Sequence, residues 1–309
     1  MLPALLFSFA TLAQAAPFAY ITNQGSNNVS VIDLANDRVV ATVPVGRSPA
    51  GVAVSSATRR AYVTNPDSKD VSVIDTTSNK TIARLPIGGG PVGIAVAPDG
   101  GKIYVADWFN SRVVVIDGGK HQILASVRVG KAPAGIAASA DGKRIYVANR
   151  DSNNVQVIDT ISYQTLATIP AGDHPFAITL DDKAGRVYVV NVQSNDVSVV
   201  DSKQNKLIAT IAVGNTPYCA ALTPAGDKLF VTNQHADSVS VIDTQTNKLL
   251  ETVPAGGFPE GIAIHGKRAY VVNWMDDNVG VMDTDSHKIL MTIATGKNSR
   301  GFGQFIGAP

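Results

Sequence analysis

Seven aspartates recur along the chain, each closing a pentapeptide such as Val71-Ser-Val-Ile-Asp75. Successive members are 42 residues apart five times and then 40, at Asp33, Asp75, Asp117, Asp159, Asp201, Asp243 and Asp283. Converging carboxylates can act as general acids, bases or metal ligands. Here each one begins a turn such as Asp75-Thr-Thr-Ser-Asn79, where an aspartate accepts hydrogen bonds from nearby backbone N–H groups. We therefore interpret the seven carboxylates as turn residues rather than as a catalytic array.

The histidines and the cysteine form no recognisable metal or nucleophile motif. No His-x-His, His-Glu-x-x-His or Cys-x-x-Cys spacing occurs, and the chain has one cysteine, Cys219. That count also excludes the Cys-x-x-Cys-His attachment motif of c-type haem. A metal site built from Asp173, His174, His235 and Glu260 would require side chains from separate repeats to converge. The sequence predicts no catalytic residue, no metal and no cofactor.

The elements that carry these residues are short strands. A second mark, Tyr-Ile-Thr-Asn and its variants, lies ten residues before each aspartate and ends at Asn23, Asn65, Asp107, Asn149, Asn191, Asn233 and Asn273. Residues 93–130 show the unit clearly, as four runs rich in β-branched residues separated by turns. A period of about 40 residues with several strands per unit is typical of propellers. The sequence predicts an all-β, seven-bladed β-propeller with four antiparallel strands per blade.

The phase of the repeat predicts how the ring closes. The first strand, residues 19–22, corresponds to the second strand of a unit, so the first unit lacks an innermost strand. Counting along the glycines that end each unit places the missing strand at residues 301–306. We expect this C-terminal strand to complete the first blade, because a closed ring protects the edges of its sheets.

Composition indicates a soluble globular protein, with 45% hydrophobic residues, 17% charged residues and a net charge of +1. Residues 2–13 are apolar but too short to span a bilayer, and Ala13-Gln14-Ala15 has the form of a signal peptidase site. The sequence predicts a signal peptide at 1–15 and a single propeller domain at 16–309. We expect a monomer without a transmembrane span, in the periplasm or at the cell surface. The segment carries no Lys or Arg, so retention as an anchor is the alternative.

Repeat motifs carry a resemblance to a known family. Tyr62-Val-Thr-Asn65, Val71-Ser-Val-Ile-Asp75 and Pro91-Val-Gly93-Ile-Ala-Val96 closely resemble the YVTN family of β-propeller repeat proteins. The resemblance covers residues 19–306 and implies an exported bacterial or archaeal protein. Relatives include surface-layer and periplasmic propellers, and more distant seven-bladed propellers include lactonases and subunits of quinone-dependent amine dehydrogenases. The motifs describe the blade, so function must be argued from a site.

Residues that break the repeat collect at one end of the predicted ring, which we call the top face. It is formed by the loops between the second and third strands of each blade and by the connections between blades. Concave mouths with aromatic walls and a few polar groups are common binding sites, whereas variable solvated loops are the alternative explanation. The candidate ligand-binding residues are Arg47, Trp108, Arg150, His174, Tyr218, His235, Phe258, Glu260, Trp274 and Arg300.

We therefore predict a non-catalytic binding or scaffold propeller, with an unknown protein or small-molecule partner at the top face and central mouth. One alternative is a lactonase-like hydrolase that uses Glu260 and His174, although Glu260 and Arg300 can instead pair with each other. Another is a periplasmic partner of a quinone-dependent oxidation system, which only the distant resemblance implies. Nucleic-acid binding would need a basic rim, and Arg47, Arg150 and Arg300 contribute positive charge there among acidic residues.

Overall fold

The computed structural model describes residues 17–308, which form seven β-sheets arranged as blades. In each of six sheets, four consecutive strands pair with their neighbours in antiparallel fashion. The seventh sheet combines the first three strands with the C-terminus. These findings confirm the predicted seven-bladed β-propeller with four antiparallel strands per blade.

Blade 1 begins with β1 (Phe18–Asn23), β2 (Asn28–Asp33) and β3 (Arg38–Pro44). Blade 2 contains β4 (Val52–Ser55), β5 (Arg60–Asn65), β6 (Asp70–Asp75) and β7 (Lys80–Pro86). Blade 3 contains β8 (Pro91–Val96), β9 (Lys102–Asp107), β10 (Arg112–Asp117) and β11 (Ile123–Arg128). Blade 4 contains β12 (Pro133–Ala138), β13 (Arg144–Asn149), β14 (Asn154–Asp159) and β15 (Thr165–Pro170).

Blade 5 contains β16 (Pro175–Asp181), β17 (Arg186–Asn191), β18 (Asp196–Asp201) and β19 (Lys206–Ala212). Blade 6 contains β20 (Pro217–Leu222), β21 (Lys228–Asn233), β22 (Ser238–Asp243) and β23 (Lys248–Pro254). Blade 7 contains β24 (Pro259–His265), β25 (Arg268–Asn273), β26 (Asn278–Asp283) and β27 (Ile289–Ala294). The short strands β28 (Ser299–Arg300) and β29 (Ile306–Gly307) return to blade 1, and two 3-10 turns span Arg150–Ser152 and Gln234–Ala236.

Burial explains the two kinds of strand sequence. The middle strands β5 and β6 are almost wholly buried, because blades pack face to face around them, and they combine β-branched residues and Tyr62 with the buried polar residues Thr64 and Ser72. The outermost strand β7 instead alternates exposed and half-buried residues. One Tyr or Phe on the second strand of most blades is fully buried between neighbours: Tyr20, Tyr62, Tyr104, Tyr188, Phe230 and Tyr270.

The recurring aspartates are turn residues, as predicted. Asp75 Oδ1 accepts hydrogen bonds from the backbone N–H groups of Thr77 and Ser78 at 3.1 and 2.8 Å. Asp159 repeats this arrangement with Ile161 and Ser162 at 3.0 and 2.7 Å. Each carboxylate therefore stabilises the turn between the third and fourth strands of its blade.

The C-terminus closes the ring, as predicted, but its pairing is split. Residues 299–307, the closing segment, pair with β1 at Arg300 and Ser299 and again at Gly307 and Ile306. Between these points residues 302–304 leave β1 and lie against β4, where Val52 N–H donates to Phe302 O at 2.8 Å. Gly303 has a φ of 112°, which favours glycine and permits this excursion. Extrapolation of the repeat could not predict it, because the detour occurs once.

The predicted signal peptide at residues 1–15 lies outside the described residues. Across residues 17–308, no helix is both long and apolar enough to cross a bilayer.

Candidate functional site at the axis and top rim

The innermost strands of neighbouring blades approach one another closely at a ring of small residues, which we call the collar. It consists of Gly51, Gly93, Gly135, Ala177, Cys219, Gly261 and Gly301. A Cβ on Gly93 would lie 1.9 Å from the carbonyl oxygen of Ala134, and one on Gly135 would lie 2.2 Å from that of Phe176. Glycine is needed at these positions because the backbone of the next blade occupies the space of a side chain.

Aromatic side chains fill the axis next to the collar. Phe302, carried there by the closing segment, packs against Phe176 of blade 5 and Tyr218 of blade 6, with ring centroids 4.8 and 5.9 Å apart. Phe176 and Tyr218 lie 4.6 Å apart, and Trp108 of blade 3 contacts the edge of Phe176 at 6.3 Å. We call Trp108, Phe176, Tyr218 and Phe302 the aromatic plug. Phe176, Tyr218 and Phe302 are buried, so the expected central mouth on the top face is filled by side chains.

A buried ion pair lies beside the aromatic plug. Arg300 Nε donates to Glu260 Oε2 at 2.6 Å and Arg300 Nη2 donates to Glu260 Oε1 at 3.0 Å. Gln234 Nε2 donates to the same Oε1 at 2.8 Å, and Glu260 is 1% exposed. Burial raises the pKa of the Glu260 carboxyl above its ordinary value, against the opposing effect of Arg300. The alternative that Glu260 and Arg300 pair with each other is therefore the one observed.

One half-exposed aromatic group lies over blades 3 to 5. The Arg150 guanidinium stacks 5.5 Å from the Trp108 ring and donates to Asp151 at 2.6 Å. His174 Nε2 lies 4.0 Å from the same Asp151 oxygen, and the neighbouring Phe109 side chain is 77% exposed. We call Trp108, Phe109, Arg150 and His174 the Trp108 patch.

A second aromatic group lies over blades 6 and 7. Phe258 is stacked between His235 and Trp274, with ring centroids 5.1 and 5.5 Å apart. The indole N–H of Trp274 donates to Gln24 of blade 1 at 3.4 Å, and the adjacent Met275 is 62% exposed. We call His235, Phe258, Trp274 and Met275 the Trp274 patch.

A repeated backbone arrangement positions the connections that carry these side chains. Phe258 has a φ of 57°, and its N–H donates to Asp237 Oδ1 at 2.8 Å. His174 has a φ of 55°, and its N–H donates to Asn153 Oδ1 at 3.0 Å. The same contact recurs at Ser48, Thr216 and Asn298. The blade fixes this left-handed backbone position, and the side chain that it carries varies among blades.

The ten predicted residues therefore fall into separate groups. Trp108, Arg150 and His174 lie in one patch; His235, Phe258 and Trp274 lie in the other; Tyr218, Glu260 and Arg300 lie at the axis. Arg47 stands apart and donates to the carbonyl of Asp67 at 3.2 Å. Asp173, His174, His235 and Glu260 contact different partners and do not converge. Among residues 17–308, no three His, Cys, Asp or Glu side chains group closely enough to hold a metal ion.

Sequence reasoning missed a cavity of about 630 Å³ on the axis beneath Phe302. Exposure increases along its wall, from buried Ile136 to half-buried Ala137 and Ala138 and then exposed Ala140. The cavity therefore opens at the bottom face, where the first and second strands of each blade are joined. Its wall recurs from blade to blade, so the sequence alone does not distinguish it from the repeated architecture. The available signal is a small residue every 42 positions at Ala53, Ala95, Ala137, Thr179, Ala221 and Ala263.

Two segments of the chain, residues 55–139 and 185–309, match the YNCE-like beta-propeller family. Together they cover more than half of the 309 residues. The chain belongs to this family. The YNCE-like assignment supports the expected propeller repeat, while the narrower YVTN assignment stays a prediction.

Three solved structures resemble this YNCE-like propeller. Hydrazine synthase of Kuenenia stuttgartiensis is 21% identical with a TM-score of 0.78, and the match covers 92% of this chain and 99% of that one. The dihydro-heme d1 dehydrogenase NirN is 16% identical with a TM-score of 0.71, covering 96% and 77%. A functionally unknown protein from Desulfotomaculum acetoxidans DSM 771 is 15% identical with a TM-score of 0.81, covering 94% and 98%. At these identities the likeness shows the fold alone.

A curated relative matches a shorter stretch. The PE-PGRS family protein PE_PGRS18 of Mycobacterium tuberculosis (strain ATCC 25618 / H37Rv) is 54% identical over 39 residues. That stretch is 13% of the YNCE-like chain and 8% of the mycobacterial protein. The match therefore concerns about one blade's length of sequence.

Proposed function

We propose that this chain is an exported, non-catalytic propeller that binds a partner protein on its top face. The observation that carries the proposal is the Trp274 patch, where rings from two blades stack and Met275 is 62% exposed. Aromatic residues and Met are enriched in protein interfaces, and clustered exposed apolar side chains mark interaction sites. None of these four side chains lies in the repeated core between the blades.

The Trp108 patch supports the same proposal. Phe109 is 77% exposed, and Arg150 is held over Trp108 in a cation–π arrangement. Trp and Arg are frequent hot-spot residues because they offer large contact areas with defined geometry. The two patches rise from blades 3 to 5 and from blades 6 and 7, so a partner that touches both must span several neighbouring blades of the top face.

The filled axis favours a macromolecular partner over a small ligand at the top. Phe176, Tyr218 and Phe302 occupy the position where a central mouth would open, and all three are buried. Small-molecule sites are usually concave and enclose most of the ligand. A rim of half-exposed rings around a filled centre instead offers a surface suited to another folded protein.

Charge favours a protein over a nucleic acid. Arg150 pairs with Asp151 at 2.6 Å, and Arg112 pairs with Asp107 at 2.8 Å. Arg300 is committed to Glu260 at 2.6 Å. Phosphate binding relies on cations that are free to replace counterions, and these three already have carboxylate partners. Arg47 instead donates to the backbone carbonyl of Asp67, so most of the named arginines of the rim, but not all, are neutralised by carboxylates.

The hydrolase alternative receives no support from the geometry of its candidate residues. Glu260 is 1% exposed and accepts hydrogen bonds from Arg300 and Gln234. His174 contacts Asp151 of blade 4, whereas Glu260 belongs to blade 7. Glu260 and His174 therefore do not act on a common reacting atom. The alternative of a quinone-dependent partner has no specific contact within residues 17–308 in its favour.

Photo-crosslinking tests the partner proposal. p-Benzoylphenylalanine is placed at Met275 or Phe109 in the full chain, with exposed Ala225 on the bottom face as the matched control position. We expect one and the same partner, identified by mass spectrometry, from positions 275 and 109 and none from 225. Trp274→Ala should abolish the adduct at Met275 because it removes one ring of the stack. Equal labelling at all three positions, or none, would overturn the proposal.

A nucleic acid is the outcome that would replace the protein partner. Single-stranded oligonucleotides are titrated at low and high salt and followed by fluorescence anisotropy. Binding that weakens steeply with salt and is lost in Trp274→Ala would assign the rim to nucleic acid. If the parent chain does not bind the oligonucleotides, a protein remains the proposed partner.

Export is the remaining part of the proposal, and it rests on the apolar segment 2–13 followed by Ala13-Gln14-Ala15. Fractionation of cells that produce the full chain should recover it outside the cytoplasm. N-terminal sequencing should then begin at Ala16. A protein that remains in the cytoplasm with Met1 in place would contradict export without affecting the partner proposal.

A further inference from the structure

We propose that the cavity on the propeller axis, open at the bottom face, binds an uncharged and largely apolar small molecule. The inference does not rest on the top-face partner. It concerns the other side of the aromatic plug, and its wall belongs to the innermost strands rather than to the variable loops.

The size of the cavity suits a ligand. Its volume is about 630 Å³, in the middle of the roughly 300–1,000 Å³ that small-molecule sites occupy. An apolar cavity of about 150 Å³ already holds benzene. The axial cavity therefore has room for a molecule several times larger.

The wall is built from small and aliphatic side chains on the innermost strands. Representative residues are Ile94 and Val96 of β8, Ile136 and Ala137 of β12, and Ile264 of β24. Thr179 also lies in the wall, but its hydroxyl donates to the carbonyl of Ala220 at 2.7 Å. A ligand therefore meets apolar side chains together with polar backbone groups of the innermost strands, and the apolar contact favours binding because it removes nonpolar surface from water.

Charge at the wall excludes an anionic ligand. The lining residues include no Lys, Arg or His, and their one carboxylate is Asp182 at the mouth. Asp182 Oδ2 accepts a hydrogen bond from Ala140 N–H at 2.9 Å. Asp182 is exposed, so a buried ion of either sign would lose hydration without a buried counter-charge, and the ligand is therefore uncharged. The exposed Gln304 at the same mouth offers an amide to a neutral polar group at one end of the ligand.

Phe302 gives the site a closed end. It lines the cavity and also packs against Phe176 and Tyr218, so a ligand enters and leaves only through the bottom. Backbone groups on the inner edge of the innermost strands can also form hydrogen bonds with a ligand at the axis. One such group already bonds to the closing segment, since Val54 N–H of β4 donates to Gln304 O at 2.9 Å.

Fluorescence titration with N-phenyl-1-naphthylamine, a neutral apolar dye, tests the proposal on the full chain. We expect saturable binding of one dye per chain and at least about tenfold weaker binding of the anionic 8-anilinonaphthalene-1-sulfonate. Ala137→Phe should reduce dye affinity at least about tenfold, because the half-buried wall position then carries a ring. Ala225→Phe, at an exposed bottom-face position outside the cavity wall, is the matched control and should leave dye binding unchanged.

A second variant avoids any effect of Ala137→Phe on folding. Ala140→Cys introduces an exposed thiol at the mouth, whereas the native Cys219 is buried. Labelling the folded variant with a bulky maleimide should block the dye, and labelling with a methyl-sized reagent should not. Failure of the parent chain to bind the dye saturably would overturn the site. Binding that survives both Ala137→Phe and the bulky label would equally overturn it.

Discussion

Arg300 donates two hydrogen bonds to Glu260 across the boundary between the closing segment and blade 7, at 2.6 and 3.0 Å. Gln234 of blade 6 donates to the same carboxylate, so one side chain joins three blades. β28, which carries Arg300, contributes two paired residues to β1. The ion pair therefore adds a side-chain connection at the point where the ring closes with few strand hydrogen bonds.

Removal of this cation should destabilise the protein strongly. Arg300→Met leaves the Glu260 carboxylate buried without its partner, which typically costs about 3–5 kcal/mol. Urea denaturation of parent and variant measures the loss. Lys267→Met is the matched control, because Lys267 and Asp285 form an exposed pair at 2.6 Å and should show little change. Equal effects of the two substitutions would contradict a structural role for the buried pair.

The same variant should acquire a pH dependence of defined sign. Burial raises the pKa of the Glu260 carboxyl, and in Arg300→Met the opposing cation is gone. A carboxyl whose folded pKa is raised contributes its full stability below the unfolded value of about 4.3 and loses it as pH rises through the folded pKa. The deficit relative to the parent should therefore grow from mildly acidic to alkaline pH. Denaturation across that range checks it, and a constant deficit would contradict it.

The turn aspartates should give the opposite dependence. Hydrogen bonds from turn N–H groups and adjacent side chains hold the pKa below the ordinary value at Asp33, Asp75, Asp117, Asp159, Asp243 and Asp283. Stability from a depressed carboxyl pKa is complete above the unfolded value and is lost as pH falls through the folded values. The urea midpoint should therefore fall as pH drops below about 4. Asp75→Asn should make this acid-side slope shallower, and an unchanged slope would argue against the turn role.

The repeat made the blades predictable because it encodes local physical requirements seven times. Val71-Ser-Val-Ile-Asp75 combines β-branched residues for a buried strand with an aspartate for the following turn, and both roles are observed. The closing strand was predicted from phase alone. Its detour at residues 302–304 depends on the single Gly303, so no repetition reveals it.

The site was harder to predict than the fold, since discarding every recurring residue also discards sites made of recurring residues. Trp108, Phe258 and Trp274 are predictable because their rings stand out from the repeat. The axial cavity is not, because its wall includes an Ala or Thr in each of blades 2 to 7 and so resembles architecture. The role of Phe302 is also hidden in the sequence, because Phe302 is far along the chain from Phe176 and Tyr218, which it contacts.

The collar predicts a sharp difference between two glycines of the same blade. A Cβ on Gly93 would lie 1.9 Å from the Ala134 carbonyl, so Gly93→Ala forces two innermost strands apart and should cost about 1–3 kcal/mol. A Cβ on Gly119 would make an ordinary contact of 3.5 Å with Asp117, so Gly119→Ala serves as the control. Thermal and urea denaturation of both variants measure the difference in the free energy of unfolding. Equal stability of Gly93→Ala and Gly119→Ala would mean that the neighbouring strands move apart at the collar without loss of stability.

Loss of Phe302 should both destabilise the ring and open the axis. Phe302 is 4% exposed and contacts Phe176 and Tyr218, so Phe302→Ala should cost about 3–5 kcal/mol. Cys219 lies in the collar and lines the same cavity, and burial raises the pKa of its thiol. The variant should therefore react faster with a thiol reagent under conditions where it remains folded. Phe109→Ala, which truncates an exposed ring, should change neither quantity. Unaltered protection of Cys219 in folded Phe302→Ala would show that the aromatic plug does not control access to the axis.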